Sequence, residues 1–177
     1  MKYQNFRYDH LLGRPFVQGK TDCFSIWRDI YRETARIEMF NYARPNDCWL
    51  YGMNPYEENY KQEGFVALAD IDLKDLEILD VFLIAIPDAR NPTKVITNHC
   101  AVYVGQGMVI HHPYQRRSVK VPYRGALKNF TVKVLRHPDA PKIELPTKKV
   151  DMMDHILPQK RSMIQDAIKN GTPGGRR

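Results

Sequence analysis

Three residues have the types and spacing that could do covalent chemistry: Cys23, His99 and His111. Nucleophilic thiol catalysis needs a thiolate, an imidazole within hydrogen-bond reach, and a third polar group that fixes the imidazole's tautomer. Cys23 lies in Gly19-Lys20-Thr21-Asp22-Cys23-Phe24-Ser25-Ile26-Trp27-Arg28, where a loop runs straight into a helical pattern. Backbone N–H groups at a helix start are unpaired and carry partial positive charge, so they favour thiolate over thiol. Thr21 or Asp22 can cap that helix.

His99 begins a β-like run and His111 ends the next, across the turn Gly105-Gln106-Gly107. Antiparallel partners of that length set the first residue of one strand opposite the last of the other. The two histidines are therefore expected side by side at one edge of a sheet. Alternation puts Ala101, Tyr103 and Gly105 on the face of His99, and sends Cys100 to the opposite face as core filling. His112 rivals His111, but adjacent strand residues face opposite ways and only one can join His99. Cys48 sits in a turn-rich segment without a nearby histidine. A metal reading of Cys23, His99, His111 and His112 lacks the closely spaced ligand pairs of zinc sites, so neither metal nor cofactor is expected.

Several elements must position these groups. Residues 3 to 12 read as a short helix ending at Gly13, and Gly13 to Gly19 as the loop that delivers the chain to the cysteine. From Thr21 to about Phe40, Cys23, Ile26, Trp27, Ile30, Tyr31, Thr34 and Ile37 recur at helical spacing, which predicts a half-buried helix with Cys23 at its tip. Residues 41 to 64 read as irregular around a short helix from Tyr56 to Gln62, followed by a helical piece over Val66 to Leu76. Leu79 to Ile86, His99 to Gly105, Met108 to His112, Ser118 to Tyr123 and Thr131 to Arg136 are β-like. From Pro138 on, prolines, basic residues and a Gly-rich end predict an extended arm with a short helix around Arg161 to Lys169. The chain thus divides into a domain over 1–137 and an arm over 138–177, and the domain is α+β, with N-terminal helices packed on a central antiparallel sheet.

The formal charge of the 177-residue chain is +7, and it is unevenly spread: Ala89 to Pro138 contains no Asp or Glu. That stretch makes either a basic face, which attracts polyanions, or an ordinary solvated surface. Nucleic-acid binding lacks a recognised motif, and no specific nucleic acid is expected as a partner. No stretch approaches the roughly 18 to 20 apolar residues of a membrane span, and the N-terminus has no leader-like apolar run, so a soluble chain is expected. Three irregularly spaced cysteines predict reduced thiols.

The order Leu12-Gly13-Arg14-Pro15-Phe16-Val17-Gln18-Gly19-Lys20-Thr21-Asp22-Cys23, Leu79-Asp80-Val81-Phe82-Leu83, Asn98-His99-Cys100-Ala101-Val102-Tyr103-Val104-Gly105 and Gly107-Met108-Val109-Ile110-His111 resembles the NlpC-type cysteine peptidases. Within that family it is similar to short bacteriophage tail members. The likeness covers about Tyr8 to His137. It implies a papain-like fold and endopeptidase action on peptidoglycan stem peptides, with Cys23 as nucleophile, His99 as base and His111 as the orienting residue. Three positions depart from the pattern. Many relatives have Tyr where this chain has Phe16, Ser or Trp where it has Phe24, and Gly-Asp where it has Leu79-Asp80. Phe16 cannot donate a hydrogen bond, which leaves Gln18 or the Cys23 backbone N–H to hold substrate or oxyanion beside Phe16 and Asp22.

The resemblance implies a virion tail protein, made in the host cytoplasm, that acts on peptidoglycan and meets other phage tail-tip proteins through residues 138–177. The rival reading is a tail-tip assembly component that keeps the peptidase fold for docking. A thiol-directed probe followed by mapping of the labelled cysteine is expected to mark Cys23 ahead of Cys48 and Cys100; equal labelling would contradict an activated thiol.

Overall fold

The computed structural model describes residues 6–91, 95–145 and 158–169. The described residues fall into two units, one within 1–145 and one within 146–177.

The first unit is built on a six-stranded sheet in which every pairing is antiparallel. The strands are β1 (Val66–Leu68), β2 (Val81–Ile84), β3 (His99–Gly105), β4 (Met108–His111), β5 (Val119–Pro122) and β6 (Thr131–Arg136), in spatial order β1-β6-β2-β3-β4-β5. β2 and β3 are central and buried along their whole length, which explains why they read as continuous apolar runs. On one face Val81, Leu83, Cys100, Val102, Ile110 and Leu135 pack against α1 (Cys23–Ile30), through Phe24, Ile26, Trp27 and Ile30. On the other, Phe82, Ile84, Ala101, Tyr103, Val109 and Val134 are covered by Leu68, Ile71, Leu76, Tyr123 and Leu127. Two short helices complete the unit, α2 (Pro55–Asn59) and α3 (Ala126–Asn129). Ala140 and Ile143 join the core on the α1 side. The second unit is described only over α4 (Pro158–Lys169), which contains the helix expected around Arg161 to Lys169. Among the described residues, no helix is long and apolar enough to cross a membrane.

Three sequence expectations need correction. The helix predicted to Phe40 stops early: α1 widens into a π turn over Tyr31–Ala35, and Arg36 adopts the left-handed conformation (φ 59°) that closes it. The chain then turns so that Met39 enters the core, held by Arg28 Nε donating to the Met39 carbonyl. The helical piece over Val66–Leu76 is instead β1, paired Val66 to Arg136 through Leu68 to Val134, then a 3-10 turn at Leu73–Asp75. Pairing along β6 overrides the local apolar spacing. Of the helix expected over residues 3 to 12, residues 3–5 lie outside the described residues and the rest holds only a 3-10 turn at Asp9–Leu11.

Leu79 has φ 83°, a conformation that strongly favours glycine and that costs a branched residue. Leu79 is nonetheless 1% exposed and belongs to the core, so burial of its side chain offsets the backbone strain.

The start of α1 is fixed by Asp22. Its carboxylate accepts from Ser25 N at 2.9 Å, Ser25 Oγ at 2.8 Å and Gly19 N at 2.7 Å, and receives the Arg44 guanidinium through Nε at 2.9 Å and Nη2 at 3.2 Å. The Asp22 and Arg44 side chains are 2% and 1% exposed. Burial pushes the Asp22 carboxyl up, but Arg44 and the Ser25 donors outweigh it and hold it below its ordinary 3.8. The pair's contribution is therefore whole above the ordinary carboxylate range and is lost as pH falls through the depressed folded value. Arg44→Met leaves that carboxylate buried without its cation. It is expected to cost about 3–5 kcal/mol by urea unfolding at neutral pH, and the loss is expected to shrink as pH falls and the stranded carboxyl takes up a proton.

Candidate active site

Asp22 as N-cap places Cys23 at the first helical position, 7% exposed, where the unpaired N–H groups of α1 converge. α1 lies across β3 and β4 on the face that carries Cys100, so the sulfur looks onto the end of the sheet where β3 begins and β4 finishes. That end carries His99 and His111. Their register is not the head-on pairing expected from the hairpin: Ala101 stands opposite His111, and the one-residue shift of the ladder between Tyr103 and Gly105 is what keeps His111 from standing opposite Val102. His99 is thus the diagonal neighbour of His111 on the same face, a relation that two long side chains can span. The rings meet edge to face, with Nε2 of His99 and Nδ1 of His111 sharing a hydrogen bond of 2.8 Å.

Cys23, His99 and His111 line one cavity of about 320 Å³, together with Phe16, Gln18 and Asp22. The three further residues play different parts. Phe16 packs edge-on against His112 and Tyr114, with ring centroids 5.4 and 5.2 Å apart. Gln18 commits an amide N–H to the Arg44 carbonyl at 3.1 Å. Asp22 spends both carboxylate oxygens on the cap and on Arg44, so in this structure it positions Cys23 and offers nothing to a ligand.

Electrostatics separates the three cysteines. The Cys23 thiol is held well below its ordinary 9.0, first by a hydrogen bond from the Cys100 thiol, then by the charge of His99 and a hydrogen bond with it. These outweigh burial and the neighbouring Asp22 charge. Burial pushes Cys100 well above the ordinary value and also raises Cys48, so both keep their protons. Cys48, which has no histidine near it in sequence, nonetheless lines the cavity. Burial, then the charges of His99 and His112, bring His111 down to about 3. His111 is therefore neutral at any physiological pH, and its Nδ1 can accept from a protonated His99 Nε2. That leaves Nδ1 as the His99 nitrogen available to the sulfur.

His112 faces away from this pair. Burial lowers its pKa, its Nε2 donates to the Arg116 carbonyl at 3.0 Å, and its ring packs on Phe16. It is a wall of the site.

Sequence reasoning missed Tyr56, whose hydroxyl lies 3.3 Å from Cys23 Sγ. Tyr56 is the second residue of α2, capped by Asn54, and its ring packs on Phe24. No periodicity or motif connects it to a cysteine 33 residues earlier. It also missed how the rim is built. Arg90 bridges Asp47 and Asp88, Trp49 Nε1 donates to Asp88 at 2.9 Å, and the Asn98 amide exchanges two hydrogen bonds with the Ile86 backbone. The rim charges thus pair with one another, and the lining is mostly apolar. Among the described residues, no group of three His, Cys, Asp or Glu side chains is placed to hold a metal.

The chain is similar to Tail tip assembly protein K of Escherichia phage lambda, with 33% identity over 128 residues, 72% of this chain and 59% of that one. It is also similar to Tail tip assembly protein K of Escherichia phage N15, with 28% identity over 131 residues, 73% of this chain and 50% of that one. The chain therefore spans less than two thirds of the length of these curated relatives. Among solved structures, NlpC1 from Trichomonas vaginalis aligns with a TM-score of 0.44 and 18% identity, over 71% of this chain and 39% of that one. The NlpC/P60 family model matches residues 13–136, most of the chain and the whole of the α+β, papain-like unit from the loop before Cys23 to the end of β6. The chain belongs to the NlpC/P60 family.

Proposed function

We propose that this chain is a cysteine peptidase that hydrolyses amide bonds in peptidoglycan stem peptides, as a component of a bacteriophage tail tip. The observation that carries the reading is the meeting in one cavity of a helix-tip thiol of depressed pKa and a histidine pair. His99 takes the Cys23 proton and is held by neutral His111, which accepts from its Nε2. The thiolate attacks the amide carbonyl, forming the C–S bond and an oxyanion. Collapse of that intermediate breaks the C–N bond, and the leaving amine takes a proton from His99. Water, deprotonated by His99, then releases the acyl group and regenerates the thiol.

The substrate class and the tail location rest on the phage relatives and on the family resemblance. In this reading residues 1–137 form the peptidase domain, and the arm over 138–177 contacts neighbouring tail-tip proteins after synthesis in the host cytoplasm. A second reading has an observation of its own: both curated relatives are named assembly proteins. A chain that serves assembly would use its fold and arm for docking, with or without hydrolysis.

Cys23→Ala is expected to abolish release of new amino groups from purified peptidoglycan, with the fold retained by circular dichroism; undiminished release would end the peptidase reading. His111→Ala is expected to lower turnover by about 10²-fold or more, because His99 loses its partner. Because His111 titrates only near pH 3, it is expected to leave no inflection in the activity profile above pH 4. Removal of residues 146–177 keeps Ile143 in the core and separates the two readings. Loss of incorporation into particles with hydrolysis intact assigns the arm to assembly, and normal incorporation removes the arm from it.

A further inference from the structure

We propose that Tyr56 is the hydroxyl donor of this site: it holds the Cys23 thiolate in the free protein and passes to the oxyanion once the S–C bond forms. The proposal rests on the peptidase reading and extends it to a residue outside the matched catalytic motifs. The Tyr56 hydroxyl is 3.3 Å from Sγ, and among the described residues that sulfur is its hydrogen-bond partner. Tyr56 is 6% exposed, its ring wedged against Phe24, so the hydroxyl cannot turn out to water as a surface tyrosine does.

A hydroxyl has one proton to give, and a thiolate has none, so the bond to ionised Cys23 runs one way, from oxygen to sulfur. That direction stabilises the charged form of the cysteine and lowers its pKa. Tyr56 itself is pushed well above the ordinary tyrosine value, by burial first and then by the charge of Cys23, so it keeps its proton throughout the working range. The other groups that face the sulfur do not duplicate it. Asp22 is an anion that opposes the thiolate, and Arg44 is spent on Asp22. Cys100 gives the sulfur an S–H, the first cause of its low pKa, but no O–H; Cys48 keeps its proton, His99 is the base, and buried His112 is turned to Arg116.

The same hydroxyl is positioned for the next step. The oxygen of the tetrahedral intermediate is bonded to the carbon that sulfur has just attacked, so it emerges within reach of a donor already on Sγ. Tyr56 transfers no proton, and the protonic balance stays with His99. Phe16, in the loop before α1, lines this cavity with a ring that cannot donate. The donor is thus supplied from α2 instead of the loop before α1.

The test uses the full chain and iodoacetamide, with alkylation of Cys23 followed by peptide mapping across pH. Wild type is expected to react with a midpoint well below 9. Tyr56→Phe, which removes one oxygen and leaves the ring on Phe24, is expected to raise the midpoint by about one unit or more, a tenfold or greater loss of thiolate at pH values below both midpoints. Replacing Tyr56 by a fluorinated tyrosine, whose hydroxyl is a stronger donor of nearly the same shape, is expected to lower the midpoint; this arm decides the matter should Tyr56→Phe misfold. A wild-type midpoint near 9 overturns the peptidase reading and this proposal together. A low wild-type midpoint that neither replacement moves overturns the Tyr56 assignment alone.

Discussion

The site depends on the burial of one ion pair. Asp22 and Arg44 sit beneath the start of α1, and the Asp22 carboxylate joins the loop through Gly19, the helix through Ser25, and the segment after the helix through Arg44. Arg44 is held in turn by Asn41 and by the Tyr42 carbonyl, and it lies over the Phe24 ring. A buried carboxylate without its cation is costly, so these pieces are fixed together or not at all. Cys23 follows Asp22 directly and inherits that rigidity. The cap has an electrostatic drawback, because a full negative charge next to the Cys23 sulfur disfavours the thiolate. Arg44 offsets that charge, and the helix N–H groups and His99 can then act on the sulfur.

The second constraint is the sheet. An antiparallel ladder sets which side chains share a face, and the one-residue shift between Tyr103 and Gly105 sets His111 opposite Ala101, on the face of His99, where the Gly105–Met108 register continued would set it opposite Val102. From there the two rings meet edge to face, and nitrogen can reach nitrogen. Gly105 makes the turn possible in another way: its φ is 89°, and a Cβ there would lie 2.7 Å from Leu145. The hairpin is thus shaped by close packing as well as by turn geometry.

Strongly periodic features were legible in the sequence. The strands at residues 99–105 and 131–136, the cysteine at a helix start and the pair of histidines on one face all follow from local spacing. Features decided by partners distant in the chain were not. Val66 to Leu68 carry apolar spacing that suits a helix, and only the free edge of β6 makes them a strand. Tyr56 reaches Cys23 through the packing of α2 on Phe24, which leaves no trace in either stretch. The charge asymmetry also changed its meaning on folding. The acid-free stretch from 89 to 138 supplies Arg90, Lys133 and Arg136, and these pair with Asp47 and Asp88, Glu57, and Asp80 and Glu77 from the acidic first half. Part of what reads as a basic surface is internal pairing between the two halves.

The choice of a histidine as third residue fits the cap. In the proposed resting state the site holds a thiolate and an imidazolium, with Asp22 and Arg44 as a second neutral pair beneath them. A carboxylate in place of His111 would add a net negative charge to a buried site that already contains Asp22, and would oppose the thiolate through the low-dielectric interior. A second cation would strip His99 of its acceptor. A histidine held neutral by burial avoids both outcomes, because its Nδ1 accepts from His99 without contributing charge. In the proposed mechanism, the burial that lowers His111 to about 3 is therefore what would let it orient His99 and leave the charge balance between His99 and Cys23 undisturbed.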